Sequence, residues 1–152
     1  MATATDPHPR AATAADYAAF ETNNGDAAAG LVLICDHASN ALPAEYGDLG
    51  LPKEEFARHI AYDIGAAAVT RALAAGLGAP AVLSCFSRLL IDATRGEDDP
   101  TLIMRLSDGA VVPGNAGVDA AERARRIARF HGPYHAAVAR AIDRGMAAGR
   151  PP

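Results

Sequence analysis

The stretch Leu31-Val-Leu-Ile-Cys-Asp-His-Ala-Ser-Asn-Ala-Leu-Pro43 decides how the rest of this chain is read. Its first five residues are apolar, the length and character of a strand buried on both faces. The run then breaks at once into Asp36, His37, Ser39 and Asn40, and Pro43 stops any regular continuation. In open α/β sheets, ligands bind where strands end. A buried strand that delivers those polar side chains at its C-terminal end reads as one edge of a site. Asp, Ser and Asn are also ordinary turn formers. His37 is not, and it moves the reading toward function.

Downstream, Leu51-Pro-Lys-Glu-Glu55 reads as a helix start, with proline in the first turn and glutamates at the positive end of the dipole. Phe56, Ile60, Ile64, Ala67 and Ala68 would form its buried stripe, and Gly76 and Gly78 its end. Glu55, His59 and Asp63, each four residues from the last, fall on a different face. Pro80-Ala-Val-Leu-Ser-Cys-Phe86 reads as a second core strand. Ser87-Arg-Leu-Leu-Ile-Asp-Ala-Thr-Arg95 continues it or turns back beside it. Residues 101–117 make a long irregular connection. A final helix follows, with Asp119 and Glu122 at its start and a stripe of Ile127, Phe130, Tyr134, Val138 and Ile142. Pro133 should kink it, since proline cannot donate to the carbonyl of Arg129.

Upstream, residues 1–15 mix Ala, Thr, Asp and Pro without period and are expected to be a disordered lead-in. Tyr17 and Phe20 would open the fold with a short strand, and Asn23-Asn-Gly25 is a turn signal. The order β-α-β-β-α predicts a layered α/β domain over residues 16–152, short of strands. At 152 residues and a net charge of −4, the chain has length for one domain and no charge suited to nucleic acid. Its two cysteines, Cys35 and Cys85, fall in the core strands and read as reduced thiols. Without a signal-like start or a long apolar run, the expectation is a soluble, cytoplasmic protein that does not enter a membrane.

Several residue groups carry possible chemistry. A histidine at a strand end can ligate zinc, act as a general base, or serve as a hydrogen-bonded structural residue. His59, alone, reads as a surface ion pair, whereas Asp63 borders the apolar stripe and needs a partner. Arg88, Asp92 and Arg95 flank an apolar run. Two arginine forks there suit a carboxylate-bearing substrate, and an internal Arg–Asp pair is the plain alternative. His131 and His135 have the spacing of a helical metal pair, but Gly132-Pro133 between them distorts it.

Taken in order, Cys35-Asp-His-Ala-Ser-Asn-Ala-Leu-Pro43, His59-Ile-Ala-Tyr-Asp-Ile-Gly-Ala66, Ser87-Arg-Leu-Leu-Ile-Asp-Ala-Thr-Arg95, Pro113-Gly-Asn115 and Phe130-His-Gly-Pro-Tyr-His135 resemble the N-formylglutamate amidohydrolase family. The resemblance implies a three-layer α/β sandwich akin to zinc-dependent exopeptidases. It implies metal-dependent hydrolysis of an N-acyl acidic amino acid, such as N-formylglutamate to formate and glutamate. It further implies one zinc ion on His37, with Asp63 as the candidate second ligand because Asn40 stands where related hydrolases have Glu. Arg95 would hold the substrate carboxylate, helped by Arg88, with hydrogen bonds from Ser39, Asn40 or Asn115. The likeness spans about the first half of the family's length, so a further histidine ligand and a general base are expected to lack counterparts here. The competing expectation is a truncated, non-catalytic relative that binds an acidic small molecule or another chain, with a homodimer forming through an unpaired sheet edge.

Overall fold

The structure, a computed structural model, describes residues 17–150. The expected lead-in therefore lies outside the described residues. All four residues of β3 (Ala81–Ser84) are buried, and the other strands are laid against it. β1 (Phe20–Asn23) pairs with it antiparallel and β2 (Leu33–Cys35) pairs with it parallel, giving a mixed sheet in the order β1-β3-β2. Successive side chains of a strand point to opposite faces. Val82 accordingly joins Phe86, Phe130, Tyr134, Ala137 and Ala141, while Ala81 and Leu83 join Cys35 and Ala74. The first group is carried largely by α3 (Gly132–Ala147), and Ala74 belongs to α1 (Ala66–Leu77). One helix thus covers each face of β3.

Three expectations need correction. The opening strand is not buried on both faces: β2 lies at the sheet edge, and Ile34 remains 50% exposed. The helix expected from Pro52 onward is a 3-10 turn at Lys53–Ala57, and α1 begins only at Ala66. Between them the chain is claimed by other partners. Arg58 is extended, the Asp63 amide donates to the His37 carbonyl at 3.0 Å, and Gly65 sits at φ +84°. Ile64 is consequently exposed, and His59 and Asp63 share no helical face. Finally, Ser87-Arg-Leu-Leu-Ile-Asp-Ala-Thr-Arg95 forms neither a strand nor a return, although Leu89, Leu90 and Ile91 are fully buried.

That irregular segment satisfies its carbonyls with side-chain donors. Asn115 donates to Leu89 O, Arg126 to Leu90 O, His135 to Ala93 O and His131 to Arg95 O. The donors come from the final helical run, which comprises α2 (Ala120–Arg126), a π-helical turn at Ile127–His131 and α3, and from the turn at Asn115. Asp119 caps α2 by accepting from the Glu122 amide at 2.8 Å, as its position predicts. The irregularity imposed by Pro133 takes the form of the π turn, in which the Gly132 amide reaches the Ile127 carbonyl. Within residues 101–117 a small hairpin pairs β4 (Leu106–Ser107) with β5 (Ala110–Val111). Its turn residues, Asp108 and Gly109, both have positive φ, as the favoured two-residue hairpin turn demands. Among the described residues no helix is long and apolar enough to cross a membrane.

The turn after β1 passes so close to residues 79–80 that a Cβ on Gly25 would lie 2.1 Å from the Ala79 carbonyl carbon. Gly25→Ala should therefore destabilise the fold by about 1–3 kcal/mol through backbone displacement. Urea denaturation checks this, and an unchanged midpoint would contradict the close approach.

Candidate functional site

β2 hands over at Cys35 to Asp36 and His37, and His37 turns inward beneath the irregular segment. Its Nε2 donates to Asp92 Oδ1 at 2.7 Å. Asp92 is completely buried and fully bonded. The same oxygen accepts from the Thr94 amide at 3.0 Å and the Thr94 hydroxyl at 2.7 Å, while Oδ2 takes Arg88 Nη2 at 2.8 Å. Burial by itself would raise the Asp92 carboxyl. The His37 and Thr94 hydrogen bonds outweigh that effect and hold the carboxyl well below the usual carboxylate range.

On its other side, His37 Nδ1 lies 3.4 Å from Asp63 Oδ2, and Asp63 Oδ1 lies 3.7 Å from Arg88 Nη1. His37, Asp92, Arg88 and Asp63 therefore close a ring in which the two carboxylates alternate with the imidazole and the guanidinium. Asp63 is its open side, with the side chain 55% exposed. Nearby, Asp36 accepts from the Tyr134 hydroxyl at 2.7 Å, which ties the end of β2 to α3.

The structure thus brings His37, Asp63 and Arg88 together and adds Asp92 as the hub. Sequence reading treats Asp92 only as a bracket or ion-pair partner. The signal is a carboxylate that ends the fully apolar run Leu89-Leu-Ile91, where it needs partners. Arg88 is committed to two carboxylates, so the plain alternative of an internal Arg–Asp pair is the geometry observed.

Arg95 stands outside the ring. Its guanidinium is 45% exposed and 3.8 Å from the Asp99 carboxylate, while its carbonyl accepts from His131. Ser39 accepts from the Ala41 amide at 3.1 Å within its turn, and Asn40 is exposed and donates to the Phe56 carbonyl at 2.7 Å.

Asn115 is fully buried. Its amide nitrogen donates to Leu89 O and Met104 O, both at 2.8 Å, and its oxygen accepts from Arg126 at 2.7 Å. It is a structural clamp in place of the expected substrate contact.

His59 faces Asp108 at 3.5 Å, the surface pair expected for it. His131 and His135 have rings 4.3 Å apart, but each Nε2 is spent on a backbone carbonyl. Cys35 is buried and Cys85 half-buried, both free, and burial pushes the Cys85 thiol up to about 11.

Catalytic zinc usually has three protein ligands. Among the described residues no group of three His, Cys, Asp or Glu side chains is placed to hold a metal. The donor chemistry of the pair His37–Asp63 nevertheless suits one side of a zinc site. Nδ1 faces a carboxylate oxygen, and an imidazole with its single hydrogen on Nε2 would offer the Nδ1 lone pair to a cation between them.

These features define a mixed α/β chain with an imidazole–carboxylate site at the end of a parallel strand. The family model for N-formylglutamate amidohydrolase matches residues 29–152, and the chain belongs to that family. In structure it is similar to the gene product Atu2144 from Agrobacterium tumefaciens, with a TM-score of 0.83 and 36% identity, over 93% of this chain and 56% of that one. The chain thus spans little more than half the length of that relative. No curated protein matches the sequence.

Burial lowers the pKa of His131, as does the charge of His135, against the raising effect of its bond to the Arg95 carbonyl. A histidine whose folded value is depressed favours the fold in its neutral form. Its contribution is complete above the unfolded value of roughly 6.5 and is lost as pH falls from there through the folded value. His131→Gln removes the titration while keeping a donor for the Arg95 carbonyl. The stability difference between a slightly alkaline buffer and a mildly acidic one should shrink in that variant. Equal losses in both proteins would refute the assignment. Independently, Asn115→Ala should cost about 1–3 kcal/mol in urea denaturation, because it leaves buried carbonyls and the Arg126 guanidinium without partners.

Proposed function

We propose that this chain carries part of the site of a metal-dependent amidohydrolase that removes the acyl group from an N-acyl acidic amino acid, N-formylglutamate being the substrate suggested by the family. The observation that carries the reading is the His37–Asp63 pair, held by the buried Asp92 at the end of β2. The helix–sheet–helix layering around β3 supports reading the domain as a portion of a three-layer sandwich like that of zinc-dependent exopeptidases.

His37 Nδ1 and Asp63 would hold one zinc ion. The chemistry such an ion supplies is polarisation of the acyl carbonyl and a bound water whose pKa is lowered to about 7. Asp92 fixes the ring orientation and keeps the hydrogen on Nε2, and Thr94 and Arg88 in turn fix Asp92. Arg88 offsets one of the two carboxylate charges of Asp63 and Asp92, so the cluster with a neutral imidazole keeps a net negative charge for a cation to meet. Arg95 has its main chain pinned by His131 and its guanidinium open to solvent, which suits capture of a substrate carboxylate. Ser39 and Asn40, on the loop that follows His37, are the remaining polar groups of that end of the strand.

A second reading, a non-catalytic relative that binds an acidic molecule, draws on the two-donor count among the described residues. Equilibrium zinc titration combined with a formate-release assay separates the two. Asp92→Asn should weaken zinc binding by about 10–100-fold, the range for a lost supporting partner, and His37→Ala should weaken it further. Zinc affinity unchanged by His37→Ala would end the metal reading. Arg95→Ala should raise the KM for N-formylglutamate and leave zinc affinity alone, and an unaltered KM would remove the carboxylate clamp. Zinc binding with no formate release would favour the second reading.

A further inference from the structure

Residues 100–106 and the entry to α2 line a cleft of about 520 Å³, the size of a small-molecule site. It shares no residue with the ring around Asp92. Long-range hydrogen bonds hold its walls. The Asn115 side chain donates to the Met104 carbonyl at 2.8 Å, and the Val112 amide donates to the Arg105 carbonyl at 2.9 Å. From α2, Arg123 reaches across with its Nη2 to the carbonyls of Glu97 and Asp99. The cleft is thus shaped by the chain itself, and a ligand need not organise it.

Its lining combines two chemistries. Ile103, Met104, Leu106 and Val118 make the greater part apolar. Arg105 and Arg123 supply the charge, and no carboxylate lines the cleft, although the whole chain carries a net charge of −4. Neither guanidinium is fully used. Arg123 Nη1 is buried and has no hydrogen-bond partner among the described residues, a costly state for a donor on a charged group. Arg105 is exposed, and its guanidinium pairs with no acid among the described residues. Asp99, in the neighbouring loop, does not compete for them. Its Oδ1 holds the Thr101 amide and hydroxyl, and its Oδ2 faces Arg95 at 3.8 Å. We infer that this cleft binds a small monocarboxylate with an apolar tail. Its carboxylate sits on Arg123 Nη1 and the Arg105 guanidinium, and its tail lies against Ile103, Met104, Leu106 and Val118.

The count of free donors selects the head group. Arg123 has one nitrogen to give inside the cleft and Arg105 provides the second point, which together match the two oxygens of a carboxylate. A phosphate would bring a further charged oxygen against apolar walls without a donor for it. A dicarboxylate would do the same with its second head group. The occupant therefore differs from an N-acyl acidic amino acid, and the site stands or falls independently of the function proposed above.

The test is a titration of the full chain with hexanoate, followed by amide chemical shifts, with acetate, hexanol and inorganic phosphate as comparison probes. The expected result is saturable change at the amides of residues 103–106 and 118. Hexanoate should bind about tenfold more tightly than acetate, which lacks the tail, or hexanol, which lacks the charge. Arg105→Glu alters an exposed side chain without a partner, so it should keep the unfolding midpoint and weaken hexanoate about tenfold or more. Arg123→Gln also disturbs the contacts to Glu97 and Asp99, so Val118→Asp serves as the second variant. It sets a negative charge on the lining and should likewise weaken hexanoate, its folding being checked by the same midpoint. Hexanoate binding no tighter than acetate would reduce the cleft to a region of general anion attraction and overturn the inference. Tighter binding of phosphate at the same amides would overturn the carboxylate class. Shifts centred on His37 or Arg95, or hexanoate affinity unchanged by Arg105→Glu, would overturn the location.

Discussion

A stretch of chain that crosses a protein interior without secondary structure must find a hydrogen-bond partner for each buried backbone group, or forfeit about 1–3 kcal/mol apiece. Residues 87–95 answer much of that constraint with long-range donors and acceptors. The Ser87, Arg88 and Asp92 amides go to the carbonyls of Ala41, Ala61 and Leu102, and the Leu89, Leu90, Ala93 and Arg95 carbonyls are taken by Asn115, Arg126, His135 and His131. The packing of the final helical run against the sheet is therefore more than a contact between apolar stripes. It delivers an array of side-chain donors to one segment, and Asn115 and Arg126 are bonded to each other as they do so.

The position of Asp92 follows from that anchoring. Its own amide donates to the Leu102 carbonyl and its carbonyl accepts from the Arg95 amide, and the carboxylate held there collects His37, Thr94 and Arg88. A buried charge is tolerable only when paired and fully hydrogen-bonded. Asp92 meets both conditions, and removing any one partner would leave part of a charge unsatisfied. The imidazole inherits this rigidity. Its Nε2 is fixed on Asp92, and its Nδ1 must therefore face Asp63 and the solvent side. Tertiary accounting far from the site thus sets which nitrogen of His37 is offered outward.

The strands were legible because the apolar runs containing Leu33-Ile-Cys35 and Ala81-Val-Leu-Ser84 are short, bounded and unlike their surroundings. The helical run from Asp119 was legible for a similar reason, a cap followed by a stripe of period 3.6. Where reading failed, a distant partner had overridden a local pattern. Residues 58–65 carry helical spacing, but the Asp63 amide is better used on the His37 carbonyl, and Gly65 at positive φ breaks the run. Residues 87–95 have the composition of a strand, and no local feature announces that their partners are Asn115, Arg126, His131 and His135. Of the site, His37, Asp63 and Arg88 could be named from residue type and position, but their closure into a ring through Asp92 could not. The Asp108-Gly109 hairpin turn lies inside what reads as a long irregular connection, because its two-residue strands are too short to carry an alternating pattern.

Asp63 stands apart from the other members of the ring. It is the exposed member of the ring and its amide is tied to the end of β2. It also precedes the exposed Ile64. Taking Asp63 out of water would be costly, since burial of a carboxylate without compensation is unfavourable. Arg88 offsets only part of that cost from its 3.7 Å distance. Solvent supplies the rest, so the ring is dry at Asp92 and open to water at Asp63.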